Sequence, residues 1–458
     1  MPILLSTLKA FLHSTLRPTT VQGHLIRAFL ALIAIGTGVL SLPQCQSRPV
    51  PFIDCLFTAA SAVCVTGLTT VDFAATFNVW GQAATLVLNQ LGGLGVITFA
   101  ALAFHIVGAH LSLTTHAMLA DSKMQKDAAA GFRELFFRIL SLLLGMEAVG
   151  AILLWLDRWL LHATPPGEAL WQGVFHAVSG FCNSGFTLWP DSLLSQDRFF
   201  CLVIAALIFF GGTGQVAVSE IAGWAASLWR RFRGREGAFR FSYNTRVTLV
   251  ISFAMIALGL LSLFIDCWHA GRLRDFDVVS AVSQAVSTRT AGFTIYHNET
   301  MSRRDTLVAI FMMFIGGSPG SCAGGIKTTG LAIMLAAFIA TVRNREDFTF
   351  MGRQIPSVIV SRARKVIFFT LFWNILGIFI LCHTEANADL LTIMFEQVSA
   401  FGTVGLSLDF TPQLSHYGKL WICLSMFFGR MGPLTIALGI APLRPAKYSH
   451  PEGQIMIG

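Results

Sequence analysis

Long apolar runs recur along the whole of this 458-residue chain, and they limit what it can fold into. Four of them are Ala28–Leu42, Ile139–Leu156, Phe199–Ile221 and Val366–Leu381. Crossing a lipid bilayer takes about 20 apolar residues, and several runs reach that length with their flanks. Only 12% of the residues are charged, against about 25% in a typical soluble domain. The chain is therefore predicted to be a multi-pass protein of the lipid bilayer.

The basic residues are concentrated in three linkers between the apolar runs. The linkers contain Lys123, Lys126 and Arg133; Arg230, Arg231, Arg233, Arg235, Arg240 and Arg246; and Arg343, Arg345, Arg353, Arg362, Arg364 and Lys365. Lys and Arg are enriched in cytoplasmic loops of membrane proteins, which predicts that the N-terminus and these linkers are cytoplasmic. The net charge of +8 is explained by this placement, so no nucleic-acid partner is predicted. The nine cysteines form no C-x-x-C pair and no zinc-like spacing with histidine.

A short segment recurs four times at intervals of about a quarter of the chain. The four copies are Ser61-Ala-Val-Cys-Val-Thr-Gly67-Leu-Thr69, Ser179-Gly-Phe-Cys-Asn-Ser-Gly185-Phe-Thr187, Val286-Ser-Thr-Arg-Thr-Ala-Gly292-Phe-Thr294 and Ser399-Ala-Phe-Gly-Thr-Val-Gly405-Leu-Ser407. A second glycine cluster follows each copy 24 to 26 residues later, and these clusters begin at Gly92, Gly211, Gly316 and Gly429. Membrane helices are often rich in glycine, but that explains neither the register nor the fourfold recurrence. The pattern predicts internal repeats.

Each repeat has the same predicted order of a long apolar helix (M1), a short helix ending near the repeated glycine, and a second apolar helix (M2). The short stretches are Phe52–Val63, Glu168–Phe181, Phe276–Arg289 and Asp389–Phe401. At 1.5 Å per residue they reach only about 20 Å, too little to cross the bilayer, so they are predicted to be re-entrant. The expected fold is all-α, with four M1–pore helix–M2 repeats around one central pore. The repeats are expected at 1–115, 116–235, 236–350 and 351–458.

The residues around the repeated glycines suit a selectivity filter for a monovalent cation, most simply K+. Such a filter replaces the water around the ion with backbone carbonyl oxygens, and glycine adopts the required backbone angles without strain. The pore helices also direct their partly negative C-terminal ends toward the ion. The predicted K+ ligands are Val65, Thr66, Gly67, Asn183, Ser184, Gly185, Thr290, Ala291, Gly292, Thr403, Val404 and Gly405.

Charged residues near the predicted filter leave alternatives open. Arg289 would obstruct the ion path if it faced the pore, and the favoured interpretation is that it points back and holds the loop by hydrogen bonds. Asp72, Asp191 and Asp409 follow their glycines closely. They either attract cations to the outer mouth or cap the next helix.

The third M2 segment is predicted to be broken and to form a gate. Five glycines and one proline lie between Gly316 and Gly325, and glycine and proline destabilise helix interiors. The predicted gating residues are Gly316, Gly317, Gly320, Gly324, Gly325, Lys327 and Arg430. Charges at membrane depth are costly. The plainer interpretation, in which the side chain extends to the aqueous interface, suits Lys327 better than Arg430.

These motifs resemble the Trk/Ktr/HKT superfamily of K+ transporters over essentially the whole chain. The likeness lies in Ser287-Thr-Arg-Thr-Ala-Gly-Phe-Thr294, in the sequence Gly324-Gly-Ile-Lys-Thr-Thr329, and in Gly429-Arg430. One M1 helix before the first filter segment makes the chain most similar to the bacterial KtrB-type membrane subunit.

The resemblance implies eight transmembrane helices plus four pore helices, a homodimer with one pore per subunit, and a bacterial cell (inner) membrane location. It also implies that the third M2 forms a gating loop and that Arg430 is an electrostatic barrier beneath the filter. A cytosolic, nucleotide-binding regulatory subunit of the KtrA/TrkA kind would dock on the inner face. This chain has no G-x-G-x-x-G motif, so a nucleotide would be bound by that partner. No covalently bound cofactor is implied, and K+ or Na+ is the transported ion. Gly67 indicates K+, because relatives with Ser in the first filter favour Na+.

Two other functions were weighed against a pore. Gly316-Gly-Ser318-Pro-Gly320 matches the G-x-S-x-G motif of serine hydrolases, but that motif needs a strand–turn–helix setting and placed His and acid partners. An alternating-access, Na+-coupled cation symporter is the stronger alternative. It would be expected to have broken helices in paired halves, whereas fourfold repetition favours a pore.

Overall fold

The computed structural model describes residues 21–94, 128–234, 239–271, 276–296, 301–345 and 347–432. In this part of the chain the fold is helical, with one two-stranded hairpin. The helices are α1 Val21–Leu40, α2 Phe52–Cys64, α3 Phe73–Thr76, α4 Val79–Gly93, α5 Ala128–Leu156, α6 Pro166–Cys182, α7 Arg198–Thr213, α8 Gln215–Phe232, α9 Tyr243–His269, α10 Val278–Ser287, α11 Arg303–Phe314, α12 Thr328–Val342, α13 Ser357–Thr384, α14 Leu390–Gly402 and α15 His416–Met431. The strands are β1 Thr349–Phe350 and β2 Arg353–Gln354.

A long helix and two shorter helices follow one another four times, and the two shorter ones are named here, by their order in each repeat, the short and the intermediate helix. The long helices are α1, α5, α9 and α13; the short ones are α2, α6, α10 and α14; the intermediate ones are α4, α7, α11 and α15. Side-chain caps set several of the starts. Asp277 accepts a hydrogen bond from the Ser280 amide at the start of α10, and Asp389 accepts one from the Leu391 amide at the start of α14. Such caps satisfy amides that have no partner in the first helical turn.

The short and intermediate helices pack in a closed cycle. Helix α4 packs against α6, α7 against α10, α11 against α14, and α15 against α2. Each intermediate helix therefore contacts the short helix of the following repeat, and the last contacts the first. The buried core continues across these contacts, because one apolar cluster joins α1, α2 and α4 to α14 and α15. Burial of apolar side chains therefore holds the first repeat against the fourth.

Three helices of the described residues are long and apolar enough to cross a membrane. They are Ile139–Leu161, which includes the end of α5, Tyr243–His269 and Ser357–Thr384. A fourth span results if α7 and α8, which meet at an angle of 116°, are counted as one. Large apolar side chains such as Phe253, Phe368 and Phe379 are exposed on these helices. The fold is that of an all-helical, multi-pass membrane protein.

Two expectations from the sequence need correction. The apolar run Phe199–Ile221 is not one helix, because it breaks at Gly214, where φ is +90°. The third M2 is therefore not the only interrupted one. The four short helices occur as predicted, and none of their bounds differs from the predicted one by more than two residues; α10 differs by two at both ends, since it ends at Ser287 rather than Arg289.

Only one of the three predicted repeat boundaries falls on residues that the structure describes. The boundaries at 115/116 and 235/236 lie outside the described residues, as do Lys123, Lys126 and Arg235. The boundary at 350/351 falls at the turn of the β1–β2 hairpin.

Candidate functional site

The four repeated glycines meet in a closed ring. Their φ angles are all positive: +92° at Gly67, +73° at Gly185, +72° at Gly292 and +93° at Gly405. A Cβ added to each would meet the carbonyl oxygen of the residue before the next glycine, in the order Ser184, Ala291, Val404 and Thr66. For Gly185 and Gly292 that distance would be 2.5 Å. Any side chain here would be strained by the backbone angle and would collide with the neighbouring segment.

The carbonyl oxygens in the ring are buried and free. Within the described residues, no hydrogen bond reaches the carbonyl oxygens of Thr66, Ser184, Ala291 or Val404. The amides of the same residues point the other way. They donate to the carbonyl oxygens of Ser61, Ser179, Ser287 and Ser399, over 2.8 to 2.9 Å. Buried carbonyls are almost always satisfied, so a ring of free ones has the chemistry to coordinate a cation.

The side chains of the same serines, which the sequence analysis did not single out, brace the segments that carry the glycines. Ser61 accepts a hydrogen bond from the Gly67 amide at 3.0 Å, and Ser399 accepts one from the Gly405 amide at 3.2 Å. Ser179 and Ser287 instead donate to the carbonyl oxygens of Phe186 and Phe293. A serine recurs in all four segments, which could have pointed to these residues in the sequence. Only the contacts show that the serine side chains hold the glycine segments in place.

The third segment is built differently from the other three. Helices α2, α6 and α14 are each followed directly by a residue of left-handed conformation: Val65, Asn183 and Thr403. Helix α10 is followed by Thr288, which is right-handed. Its bracing serine, Ser287, is five residues before the glycine instead of six. The alignment that paired Val286 with Ser61 is therefore wrong by one residue at this point.

Polar side chains of the short helices hold the chain after each of three glycines. His176 Nε2 accepts a hydrogen bond from the Leu188 amide at 3.3 Å, and Gln284 Oε1 accepts one from the Ile295 amide at 3.0 Å. Glu396 is completely buried and accepts hydrogen bonds from the hydroxyls of Ser407 and Thr411. These residues were also missed, because their spacing from the glycine resembles that of ordinary core positions.

Side chains of the predicted ligands lie beside the ring. The hydroxyls of Thr66 and Thr403 are buried and have no hydrogen-bond partner in the described chain. The Asn183 amide group and the Thr290 hydroxyl lie 2.9 Å apart and join the second segment to the third. The twelve predicted filter residues are therefore all found in the four segments that form the ring.

The interruption in the third M2 lies where the sequence predicts it. Helix α11 ends at Phe314 and α12 begins at Thr328, and the intervening residues form a loop. The two ends of this loop are adjacent, because Ile315 and Ile326 form a parallel bridge. A Cβ on Gly325 would lie 3.3 Å from the Gly316 nitrogen.

The loop contacts all four repeats directly next to the ring. The Cys322 thiol donates to the Gly93 carbonyl at 2.9 Å, and the Ser318 amide donates to the Gly212 carbonyl at 2.9 Å. A Cβ on Gly324 would collide with the Thr403 side chain. Gly320, with φ of +73°, accepts a hydrogen bond from the Gln215 amide at 3.2 Å. In this conformation Gly324 of the loop lies against Thr403, the residue before Val404 of the ring.

Arg430 ties this loop to the first repeat. Its side chain is 7% exposed, and its two terminal nitrogens donate to the carbonyl oxygens of Cys322 and Gly92. Lys327 is half-buried, and its ammonium group donates to the Ala323 carbonyl at 2.5 Å. The charge of Lys327 is therefore directed back onto the loop.

Two other charged residues for which the sequence left alternatives are placed by the structure. Arg289 is 7% exposed, and its Nε and one terminal nitrogen have no hydrogen-bond partner among the described residues. Asp72 caps the helix that directly follows it, the one-turn helix α3.

The fold and this ring together define a membrane transport protein. Residues 3–450 match the family model TrkH, described as a cation transport protein, and the chain belongs to that family. It is 35% identical to the Ktr system potassium uptake protein B of Bacillus subtilis, over 96% of this chain and 97% of that one. It is 33% identical to the potassium/sodium uptake protein NtpJ of Enterococcus hirae, over 94% and 95%.

A solved structure has the same fold. The crystal structure of the potassium transporter TrkH from Vibrio parahaemolyticus superposes with a TM-score of 0.69 at 18% identity, covering 93% of this chain and 86% of that one. Membership of a transport family also answers the hydrolase hypothesis, since these proteins are not enzymes. Ser318, the supposed nucleophile, lies in the loop and accepts a hydrogen bond from the Thr328 hydroxyl at 3.2 Å.

Proposed function

We propose that this protein takes up potassium ions across the bacterial cell membrane through a pore lined by its four glycine segments. The observation that carries the proposal is the ring of four unpaired carbonyl oxygens at Thr66, Ser184, Ala291 and Val404. Such oxygens replace the hydration shell of K+ with a weak, multi-site coordination that the ion can also leave. The relatives named above are described as potassium or potassium/sodium uptake proteins.

The segments support K+ as the main ion for a physical reason. All four have glycine at the ring position, so the backbone oxygens alone determine the coordination geometry. The left-handed residues Val65, Asn183 and Thr403 turn the chain sharply after helices α2, α6 and α14. The C-terminal ends of these helices then lie close to the ring, where their partial negative charge favours a cation.

We further propose that the loop between α11 and α12 is the gate. Gly316, Gly317, Gly320, Gly324 and Gly325 give it a backbone that can change conformation at low cost. Arg430 and Lys327 add positive charge next to the ring, and in a region of low dielectric these charges oppose K+. Opening requires the Arg430–Cys322 contact to break, so the gate and the charge barrier move together.

The proposal includes the architecture and the partners. Each repeat contributes an M1 and an M2 helix to a total of eight spans, with four re-entrant helices around one pore. The subunit forms a homodimer with a pore in each copy. A cytosolic nucleotide-binding subunit regulates it, by analogy with relatives named as parts of a Ktr system. The basic linkers, which contain Arg230 and Arg343, would face the cytoplasm where such a partner docks.

Replacing Gly67 with Ser tests the filter. The added side chain would meet the Ser184 carbonyl and strain a residue with φ of +92°. We expect the permeability of Na+ relative to K+ to rise about tenfold, equivalent to about 1.4 kcal/mol between the ions. The measurement is isotope uptake in cells that lack their own K+ uptake systems.

Gly38→Ser is the matched control, since a Cβ at Gly38 meets nothing within 4 Å and the residue lies in α1 of the same repeat. It should leave the ratio unchanged. A folded Gly67→Ser protein with the parent's ion selectivity would overturn the filter assignment. Uptake of K+ that strictly requires Na+ and saturates at carrier-like rates would instead favour the alternating-access symporter.

A further inference from the structure

A cluster of three potential metal ligands lies away from the glycine ring, where the long helix of the second repeat ends. Helix α5 continues into a π-helical turn, Asp157–Leu161, and His162 follows directly. Asp197 comes just before α7. A π-turn brings residues i and i+5 together, and such turns are frequent at functional sites. The turn therefore brings Asp157 and His162 close together, next to Asp197.

The donor atoms have nearly the separation that a metal requires. His162 Nε2 lies 3.9 Å from Asp157 Oδ2 and 3.6 Å from Asp197 Oδ1. All three donor atoms lie within 4.8 Å of one another. Ligands about 2.0 to 2.2 Å from a tetrahedral zinc ion are about 3.3 to 3.6 Å apart. Small side-chain rotations would complete this arrangement.

Asp157 gives an independent reason to expect a ligand. It is 2% exposed, yet neither of its carboxylate oxygens accepts a hydrogen bond. A buried carboxylate normally has partners, because its desolvation is costly. Arg158 Nε is 3.4 Å from Asp157 Oδ2, but that nitrogen also makes no hydrogen bond. The carboxylate is thus buried and incompletely satisfied, and it faces His162.

Arg158 is the one arginine or lysine in this cluster of described residues, and its guanidinium also has partners other than the carboxylates. Its terminal nitrogen is 3.5 Å from Asp197, a long contact. Its guanidinium also lies over the rings of Trp189, at 5.2 Å, and Phe200, at 4.5 Å. Cation–π contacts of this kind stabilise the guanidinium without a carboxylate. With two carboxylates and one arginine, the cluster has a net negative charge that a divalent cation would neutralise.

We propose that Asp157, His162 and Asp197 form a binding site for a divalent transition-metal ion of the Zn2+ class. One imidazole nitrogen and two carboxylates are ligands of this class, and water would complete a tetrahedron. His162 and Asp197 are partly exposed, which leaves a path for the ion from solvent. The site is separate from the pore and independent of which monovalent ion is transported.

The cluster is connected to the second glycine segment through aromatic contacts. Trp189, which lies beneath Arg158, stacks on His176 with 4.1 Å between ring centroids. His176 in turn holds the Leu188 amide just after Gly185. A metal that displaces Arg158 from the carboxylates would shift its contact with Trp189 and, through His176, the position of the chain after Gly185. K+ flux is therefore a second readout of metal binding.

The test is Zn2+ binding to the full-length, tag-free protein after removal of metals by a chelator, measured by calorimetry and by the shift in melting temperature. We expect the parent to bind Zn2+ and to be stabilised by it. His162→Ala and Asp157→Asn should each weaken this binding by about tenfold or more. His269→Ala is the matched control, because His269 ends the corresponding long helix of the third repeat, and it should bind like the parent.

Two outcomes would overturn the proposal. One is a His162→Ala protein that binds Zn2+ as tightly as the parent does, which would locate the binding elsewhere in the chain. The other is a parent protein that neither binds Zn2+ in the calorimeter nor shows a shift in melting temperature when Zn2+ is added. Since His162 is partly exposed, its replacement keeps the test valid if Asp157→Asn fails to fold.

Discussion

Arg430 shows how much depends on the partners of a single residue. The sequence presents it as a charge inside an apolar helix and leaves two roles open: a barrier to cations or a structural tether. Its guanidinium donates to the carbonyl oxygens of Cys322, in the loop, and Gly92, in the first repeat. These contacts make Arg430 a tether between the loop and the first repeat. They also hold the positive charge next to the ring, so both roles can belong to the same residue.

Arg430→Ala should raise K+ flux per folded molecule several-fold, because it removes both the charge and the contact that holds the loop. Arg430→Lys should keep much of the charge effect but only part of the hydrogen bonding. Single-protein flux and melting temperature in detergent are the measurements. A large loss of stability with no gain in flux would falsify the barrier. The buried carbonyls left without a donor would account for such a loss.

The interrupted M2 helices are the elements that distinguish this fold from a bundle of straight spans. Helices α4, α7 and α15 end within their glycine cluster, and α11 ends at Phe314, two residues before Gly316. In three of them a Cβ on the first glycine, Gly92, Gly211 or Gly429, would collide with a carbonyl oxygen near the end of the short helix of the same repeat. The second glycine cluster is therefore needed for close helix contact. In the third repeat the same position begins the loop, whose ends lie side by side.

Deletion of 317–324 should give a folded protein, because Gly316 and Gly325 are already adjacent. With the obstruction removed, K+ flux should exceed that of the parent, and control by a regulatory partner should weaken. Ion selectivity should stay unchanged, since the deletion leaves all four glycine segments in place. Flux into proteoliposomes measures the first effect, and a deletion protein that is well folded but slower than the parent would contradict the gating role.

Combining the deletion with Arg430→Ala separates the two roles of this arginine. If Arg430 acts only by holding the loop, its removal changes nothing once the loop is gone. If its charge opposes the ion directly, flux rises further in the deletion protein. Such a cycle isolates the coupling between two sites.

At the scale of the whole molecule, the ring closes within one chain. The M2 helix of each repeat packs on the short helix of the next, and α15 packs on α2. The carbonyl of Thr66 meets Gly405, which completes the circle between the first repeat and the last. No second copy is required to complete a pore. Each subunit of a homodimer would therefore conduct on its own.

Linked dimers provide a test of this independence. Gly292→Val would place a branched side chain against the Val404 carbonyl at a φ of +72° and should abolish flux. A covalently linked dimer of one parent and one Gly292→Val subunit should then conduct at about half the parental rate, because the intact ring is complete in its own chain. Flux near zero in the linked dimer, with both halves folded, would show that the pore needs both copies. The linked dimer of two parent subunits is the control.

Local patterns in the sequence determined much of this protein. Apolar runs predicted a membrane protein, because the bilayer sets both the length and the polarity of a span. The four glycine segments, the short helices that end near them and the interrupted third M2 were also predicted. Each depends on what glycine, proline or a short apolar helix does to its own stretch of backbone.

Only the tertiary structure decided which groups meet. The order of the ring, the break at Gly214, the shifted brace at Ser287 and the buried support from His176, Gln284 and Glu396 all depend on contacts between distant parts of the chain. The same holds for Asp157 and Asp197, which are 40 positions apart in the sequence. Spacing along a chain predicts periodic local structure, whereas a hydrogen bond or a metal ligand set requires atoms within a few ångströms, and packing alone brings them there.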